Sequence, residues 1–154
     1  MNIFVLDEDP KKCASYHNDK HVVKQLLETA QLLCGVHWVE GGEAPYKLSH
    51  KNHPSAIWTR ECVENYIWLC DLGMFLCREY THRYNKRHKS QDIIEWCYDN
   101  VPNLRINHDT TPFAMAMPDE CKVDDVVESY RIYYMTEKRH LGSWKMRSIP
   151  KWFN

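Results

Sequence analysis

Four clusters hold the side chains best suited to chemistry. The first is His17-Asn18-Asp19-Lys20-His21, followed by Lys24. On a helix His17, His21 and Lys24 share a face, with Lys20 and Lys24 along another edge. Two imidazoles, a carboxylate and two ammonium groups there suit anion binding, or general acid and base work at neutral pH; a solvated charged face is the plainer alternative. The second is Ser49-His50-Lys51-Asn52-His53-Pro54, ahead of Ser55. Free N–H groups at a helix start attract phosphate or carboxylate, and His50, Lys51, Asn52, His53 and, further on, Arg60 add to that pull. The plainer alternative is a capping loop. The third runs from Arg78 to Lys89 and interleaves cations with Tyr80 and Tyr84. Cations for phosphates and rings for base stacking suit a nucleic acid or nucleotide, although a basic helix end also complements the helix dipole. The fourth is the tail, where Trp144, Lys145 and Arg147 are placed to close over a ligand while Trp152 and Phe153 tie the chain down.

Helices must position these clusters. Ile3–Leu6 is a short apolar run, either a strand or simply an extended start. Asp9-Pro10 pairs a capping acid with a proline at the first helical position, predicting a helix to about Tyr16. Asn18 or Asp19 then caps a longer helix, in which Val22, Val23, Leu26, Leu27, Ala30, Leu33 and Val36 recur at helical spacing to about Trp38. Residues 39–54 are a polar loop. The pattern recurring from Ile57 to Tyr80 predicts one long helix, with Gly73 a weak point or a point of close packing. Ser90 caps a helix carrying Ile93, Ile94, Trp96, Cys97 and Val101, residues 102–121 are irregular, and Val123 to Tyr134 marks a last helix. Strand signals are almost absent. The expectation is an all-α, compact helical bundle forming a single domain over 1–154, with the tail 142–154 packed on the core.

Composition narrows the function. The 154 residues carry a net charge of -1, so total charge does not announce a nucleic-acid binder. The cations are nonetheless bunched in 78–89 and 131–151, around an acidic block between Asp119 and Glu128, and local clustering is what an anionic ligand feels. No apolar run reaches the roughly 18 residues a bilayer span needs, and the acidic start does not resemble a signal peptide. The seven cysteines are odd in number and form no CxxC, which points to structural thiols in a reducing cytoplasm. No metal site and no cofactor are called for. Phosphate-loop, dinucleotide-glycine, GxSxG and zinc-deaminase signatures are all missing.

Two resemblances add to this. Asp19-Lys20-His21-Val22-Val23-Lys24 and Lys51-Asn52-His53-Pro54-Ser55-Ala56-Ile57-Trp58, with Asn65-Tyr66-Ile67-Trp68-Leu69, resemble short bacteriophage-type proteins. That likeness implies a phage setting and the host cytoplasm. The order of parts, the stretch Val63–Asn85 ending in Arg83-Tyr84-Asn85, and the aromatic-basic tail with Trp144 and Lys145 resemble the small pyrimidine-dimer DNA glycosylases. In that family the amine of an N-terminal threonine, freed by removal of the initiator methionine, attacks the sugar, and a glutamate on the first long helix assists. Here residue 2 is Asn2, bulky enough for Met1 to stay, and Asp19 is taken as the nearest acid.

The resulting expectation is an enzyme acting on a nucleobase or N-glycosidic bond of DNA or a nucleotide. Asp19 positions water or steadies oxocarbenium-like charge, and His17 or His21 is the acid or base. Lys20 or Lys24 holds phosphate or serves as the amine. Arg60, Arg78 and Lys89 bind phosphate, and Trp144 or Tyr84 stacks on a base. The alternative is a phage counter-defence protein that sequesters a nucleotide signal without turnover. The aromatic count leaves room for a homodimer, and no membrane partner is expected.

Overall fold

The computed structural model describes residues 1–154. Its helices are α1 (Pro10–Tyr16), α2 (Asp19–Val39), α3 (Pro54–Arg60), α4 (Val63–Tyr84), α5 (Gln91–Asp99) and α6 (Val126–Met135), with 3-10 turns at Asp119–Cys121 and Arg139–Leu141. There are no strands, and the molecule is all-α as the patterning predicts. Its accessible surface is 8104 Å², against the roughly 8,200 Å² expected for a folded chain of this mass.

The early caps are those read from the sequence. Asp9 accepts from the Lys11 N–H and Asn18 from the His21 N–H, so each satisfies a donor that its helix leaves free. Ahead of α1, Ile3, Phe4, Val5 and Leu6 run through the interior, all 5% exposed or less. This segment pairs with no strand. It is held by side chains such as Phe4, which stacks on His21 at 4.3 Å between ring centroids.

Helices α2, α4 and α5 meet at Gly73. A Cβ there would lie 3.0 Å from Ile94 Cγ2 and 3.1 Å from Thr29 Cγ2, so glycine is what lets the three approach. Gly73 is therefore a packing point and not a break. The break falls elsewhere, and the single long helix expected from Ile57 to Tyr80 is two. Cys62 is extended (φ -159, ψ 165), and the Val63 N–H donates to Arg105 O. Glu64 and Asn65, in the new first turn, then fasten the irregular segment 100–125. The Glu64 carboxylate accepts the Asn107 and His108 N–H groups, and Asn65 bonds Thr111. Ser90 also departs from expectation. It makes no side-chain cap to α5, and its hydroxyl instead meets Tyr46 OH at 3.1 Å. The last helix starts at Val126, with Asp125 as its cap, and not at Val123.

Candidate active site

At the start of α2 the two histidines of the first cluster turn inward, while Lys20 and Lys24 stay exposed. His17 is 1% and His21 5% exposed. His17 Nδ1 faces Cys13 O at 2.7 Å, and His21 Nδ1 faces Tyr134 OH at 2.6 Å. Burial pushes His17 down to about 4 and His21 down to about 3, with His17, Lys138 and Lys24 adding repulsion at His21. Both rings are buried and neutral at pH 7. The Asp19 carboxylate is fully engaged. It accepts from Arg83 at 3.0 Å, from Ser143 Oγ at 2.8 Å and from the Lys145 N–H at 2.8 Å. It joins α2, α4 and the tail. Lys20 is exposed beside it.

Two turns along the same helix the pattern reverses. Glu28 is 7% exposed and lies among the apolar positions of α2. Its Oε1 is 3.0 Å from the amine of Met1, and its Oε2 accepts from Gln25 Nε2 at 3.1 Å. Asn2 fixes the amine's position. Its Nδ2 donates to Ala116 O at 2.8 Å, and its Oδ1 lies 3.4 Å from both Ser55 Oγ and Tyr130 OH. His53 closes the other side. It caps α3 through Nδ1, accepting from the Ser55 N–H. Burial first, then the positive charges of the Met1 amine and His50, hold His53 below the ordinary imidazole range, with Glu28 opposing them. A buried carboxylate beside a primary amine, with imidazoles at the edge, is a set that can move protons around an attacking nitrogen.

The remaining expected residues fall into separate places. His50 (φ 53) sits at the exposed turn before α3, with Lys51 and Asn52 exposed after it. Arg60 is turned onto Lys51 O at 2.7 Å. Lys24 and Lys89 line one groove along α2. Arg78 and Arg147 line another, between α1 and α4, where Arg147 Nε bonds the buried Glu79 at 2.7 Å. Arg78 also lies over the Phe75 ring. Trp144 is buried and donates to Tyr16 O at 2.9 Å. Lys145 Nζ sits over the Tyr84 ring at 5.3 Å, so these two are brought together, at the Asp19 end of α2.

All seven cysteines are free and buried, and burial pushes the Cys13 and Cys77 thiols up to about 12. No three His, Cys, Asp or Glu side chains are placed to share a metal ion. No helix is long and apolar enough to cross a membrane.

The Met1 amine, Glu28 and Gln25 are the site members that the spacing of charged clusters did not bring out. One signal was available. Helix α2 has two acids, and Glu28 is the one set inside the apolar stripe, where an unpaired charge is costly.

An amine beside a glutamate of the first long helix, within an all-α frame, defines a class, and comparison with known families agrees with it. The chain belongs to the pyrimidine dimer DNA glycosylase family, whose model matches residues 1–92. The match takes in Met1, Gln25, Glu28 and His53, and it ends before the tail carrying Trp144, Lys145 and Arg147. No curated protein and no solved structure is matched.

Proposed function

We propose that the protein is a DNA glycosylase that cleaves the N-glycosidic bond of a damaged pyrimidine in DNA, with the Met1 amine as nucleophile and Glu28 as its acid and base. The observation that carries this is the 3.0 Å pair between Met1 and the buried Glu28, in a chain of this family. Glu28 takes a proton from the ammonium. The freed lone pair forms a bond to C1′, and the C1′–N bond to the base breaks with its electrons leaving on the base. The base gains a proton, the nitrogen loses its own, and the sugar ring opens as an imine forms. On this reading the catalytic acid is Glu28 and not Asp19, and the amine is neither Lys20 nor Lys24.

The test is reductive trapping with borohydride on abasic-site and ultraviolet-damaged DNA, with the joined peptide mapped by mass spectrometry. A covalent adduct on the α-nitrogen of Met1, lost in Glu28→Gln, is expected. An adduct on a lysine, or product formed with no adduct, overturns the assignment.

A second reading keeps the phage setting and a nucleotide ligand without turnover. The cationic groove along α2 is the feature that favours it, because binding there needs no amine. Ligand recovered intact at stoichiometric amount, unaffected by Glu28→Gln, would select it.

A further inference from the structure

The amine reaction described above leaves one developing charge without a partner. When the Met1 nitrogen becomes an imine, the C1′–O4′ bond of the sugar breaks and its electrons go to O4′. A hydrogen-bond donor already aimed at that oxygen favours the step. Gln25 is not that donor, because its Nε2 is spent on Glu28 Oε2 at 3.1 Å.

His53 has the attributes required. The Ser55 N–H donates to its Nδ1 at 3.0 Å, and the Ser55 hydroxyl reaches Asn2 Oδ1 at 3.4 Å. The ring is thereby tied to the residue that follows the reacting amine. The Met1 amine, His50 and Glu28 are the charged or titratable groups whose fields act on it. Because Nδ1 accepts, the single proton of the neutral ring is on Nε2. The same N–H opposes a second proton on Nδ1, so the ring is a neutral donor in one fixed tautomer. The ring is half-buried, and Nε2 bonds no group of the protein without being sealed from solvent. His17 Nε2 is also unpartnered, but it is buried. His50 stands in an exposed turn, with its Nδ1 on Ser49 Oγ at 2.5 Å.

Stereochemistry decides which oxygen a group in this position can serve. A nitrogen that displaces a base enters C1′ from the face opposite to that base. The base and its carbonyl oxygens therefore lie on the far side, whereas O4′ is bonded to C1′ itself and stays within reach of a group beside the amine. We infer that His53 is a catalytic residue that donates a hydrogen bond from Nε2 to O4′ as the sugar ring opens. The nitrogen lone pair forms the second C1′–N bond while the C1′–O4′ pair leaves on oxygen. His53 keeps its proton, and the proton that ends on O4′ is the one the Met1 nitrogen has passed to Glu28. This role rests on the glycosylase reading.

Two variants separate the donor from the helix cap, because asparagine reproduces the position of Nδ1 and glutamine that of Nε2. Single-turnover reactions on an ultraviolet-damaged duplex, followed both as released base and as borohydride-trapped adduct, supply the readouts. His53→Asn keeps a side-chain oxygen for the Ser55 N–H. It should slow adduct formation about 10²-fold, the usual worth of one such donor, while base release and the thermal midpoint stay near those of the unaltered protein. His53→Gln gives up the cap and should lower the midpoint by about 2–4 °C, yet recover most of the adduct rate. Because the donor is neutral, the pH profile of adduct formation should keep its shape in His53→Asn. A limb lost from that profile would make His53 an imidazolium acid and overturn the inference. Equal slowing of base release and adduct formation overturns it too, since His53 would then act before the ring opens. So does full activity in His53→Asn with loss in His53→Gln, which leaves His53 a cap alone. If the unaltered protein forms no adduct on Met1, the glycosylase reading falls and this role with it; if it forms one and His53→Asn matches it, only the role of His53 falls.

Discussion

The first turn and the middle of α2 each present a buried or half-buried carboxylate to a cationic partner, and they use it oppositely. At Asp19 the partner is Arg83, whose side chain is fully buried and also faces Glu79 at 3.6 Å. Ser143 and the Lys145 N–H occupy the rest of Asp19. A guanidinium keeps its proton under any ordinary condition, so this end is fixed charge in a closed network. At Glu28 the partner is a primary amine, which can give up a proton and then has a lone pair. Its other neighbour is an amide and its surroundings include imidazoles. Residue type alone would rank the His17–His21 cluster as the more reactive end. What separates them is whether the partner's proton can leave and whether anything can reach it.

Paired variants turn that contrast into numbers. Glu28→Gln should cut the rate of product formation on abasic or damaged DNA by about 10²- to 10⁴-fold, the usual worth of a positioned acid-base group. Chemical acetylation of the Met1 amine should do the same. Asp19→Asn should show the converse. It removes one of two carboxylates from a buried guanidinium, at a cost of about 3 kcal/mol. That corresponds to roughly 6–12 °C in the midpoint for a chain of this size, with turnover kept within a few-fold once the protein is folded. A loss of turnover in Asp19→Asn without loss of stability would reverse the two assignments.

How far the sequence reveals this depends on how local each signal is. Asp9-Pro10 and Asn18 mark the starts of α1 and α2 because capping is decided within three residues. The break at Cys62 is not marked, because its cause is distant. Arg105, Asn107, His108 and Thr111 draw the start of α4 out of line with α3, and no window around Ile57–Tyr80 contains them. The site divides the same way. His50, Lys51 and His53 stand out as a charged loop at a helix start, and Lys24 and Lys89 as isolated cations. The partnership of Met1 with Glu28 joins residues far apart in sequence through Asn2, Ala116 and Tyr130. Glu28 also looks like one acid among helix formers until the helix is built and its direction is seen.

A single-ring effect, smaller than that of Asp19→Asn, concerns each of the neutral histidines beside Asp19. His17 and His21 are held near 4 and 3 in the folded protein, against about 6.5 in an unfolded chain. The unfolded state therefore binds protons first as pH falls, and stability drops from about pH 6.5 downward, towards 4 for His17 and 3 for His21. Between pH 7.5 and pH 5 each ring should cost about 2 kcal/mol, visible as a falling thermal midpoint. His21→Phe, which keeps a ring against Phe4 and gives up the contact with Tyr134 OH, should remove about half of that drop. The rate of the Met1–Glu28 reaction at pH 7.5 should be unaffected by the same substitution. If the midpoint is flat from pH 7.5 to 5, the two rings are charged in the folded state, and the case for a closed, non-reactive Asp19 end fails with them.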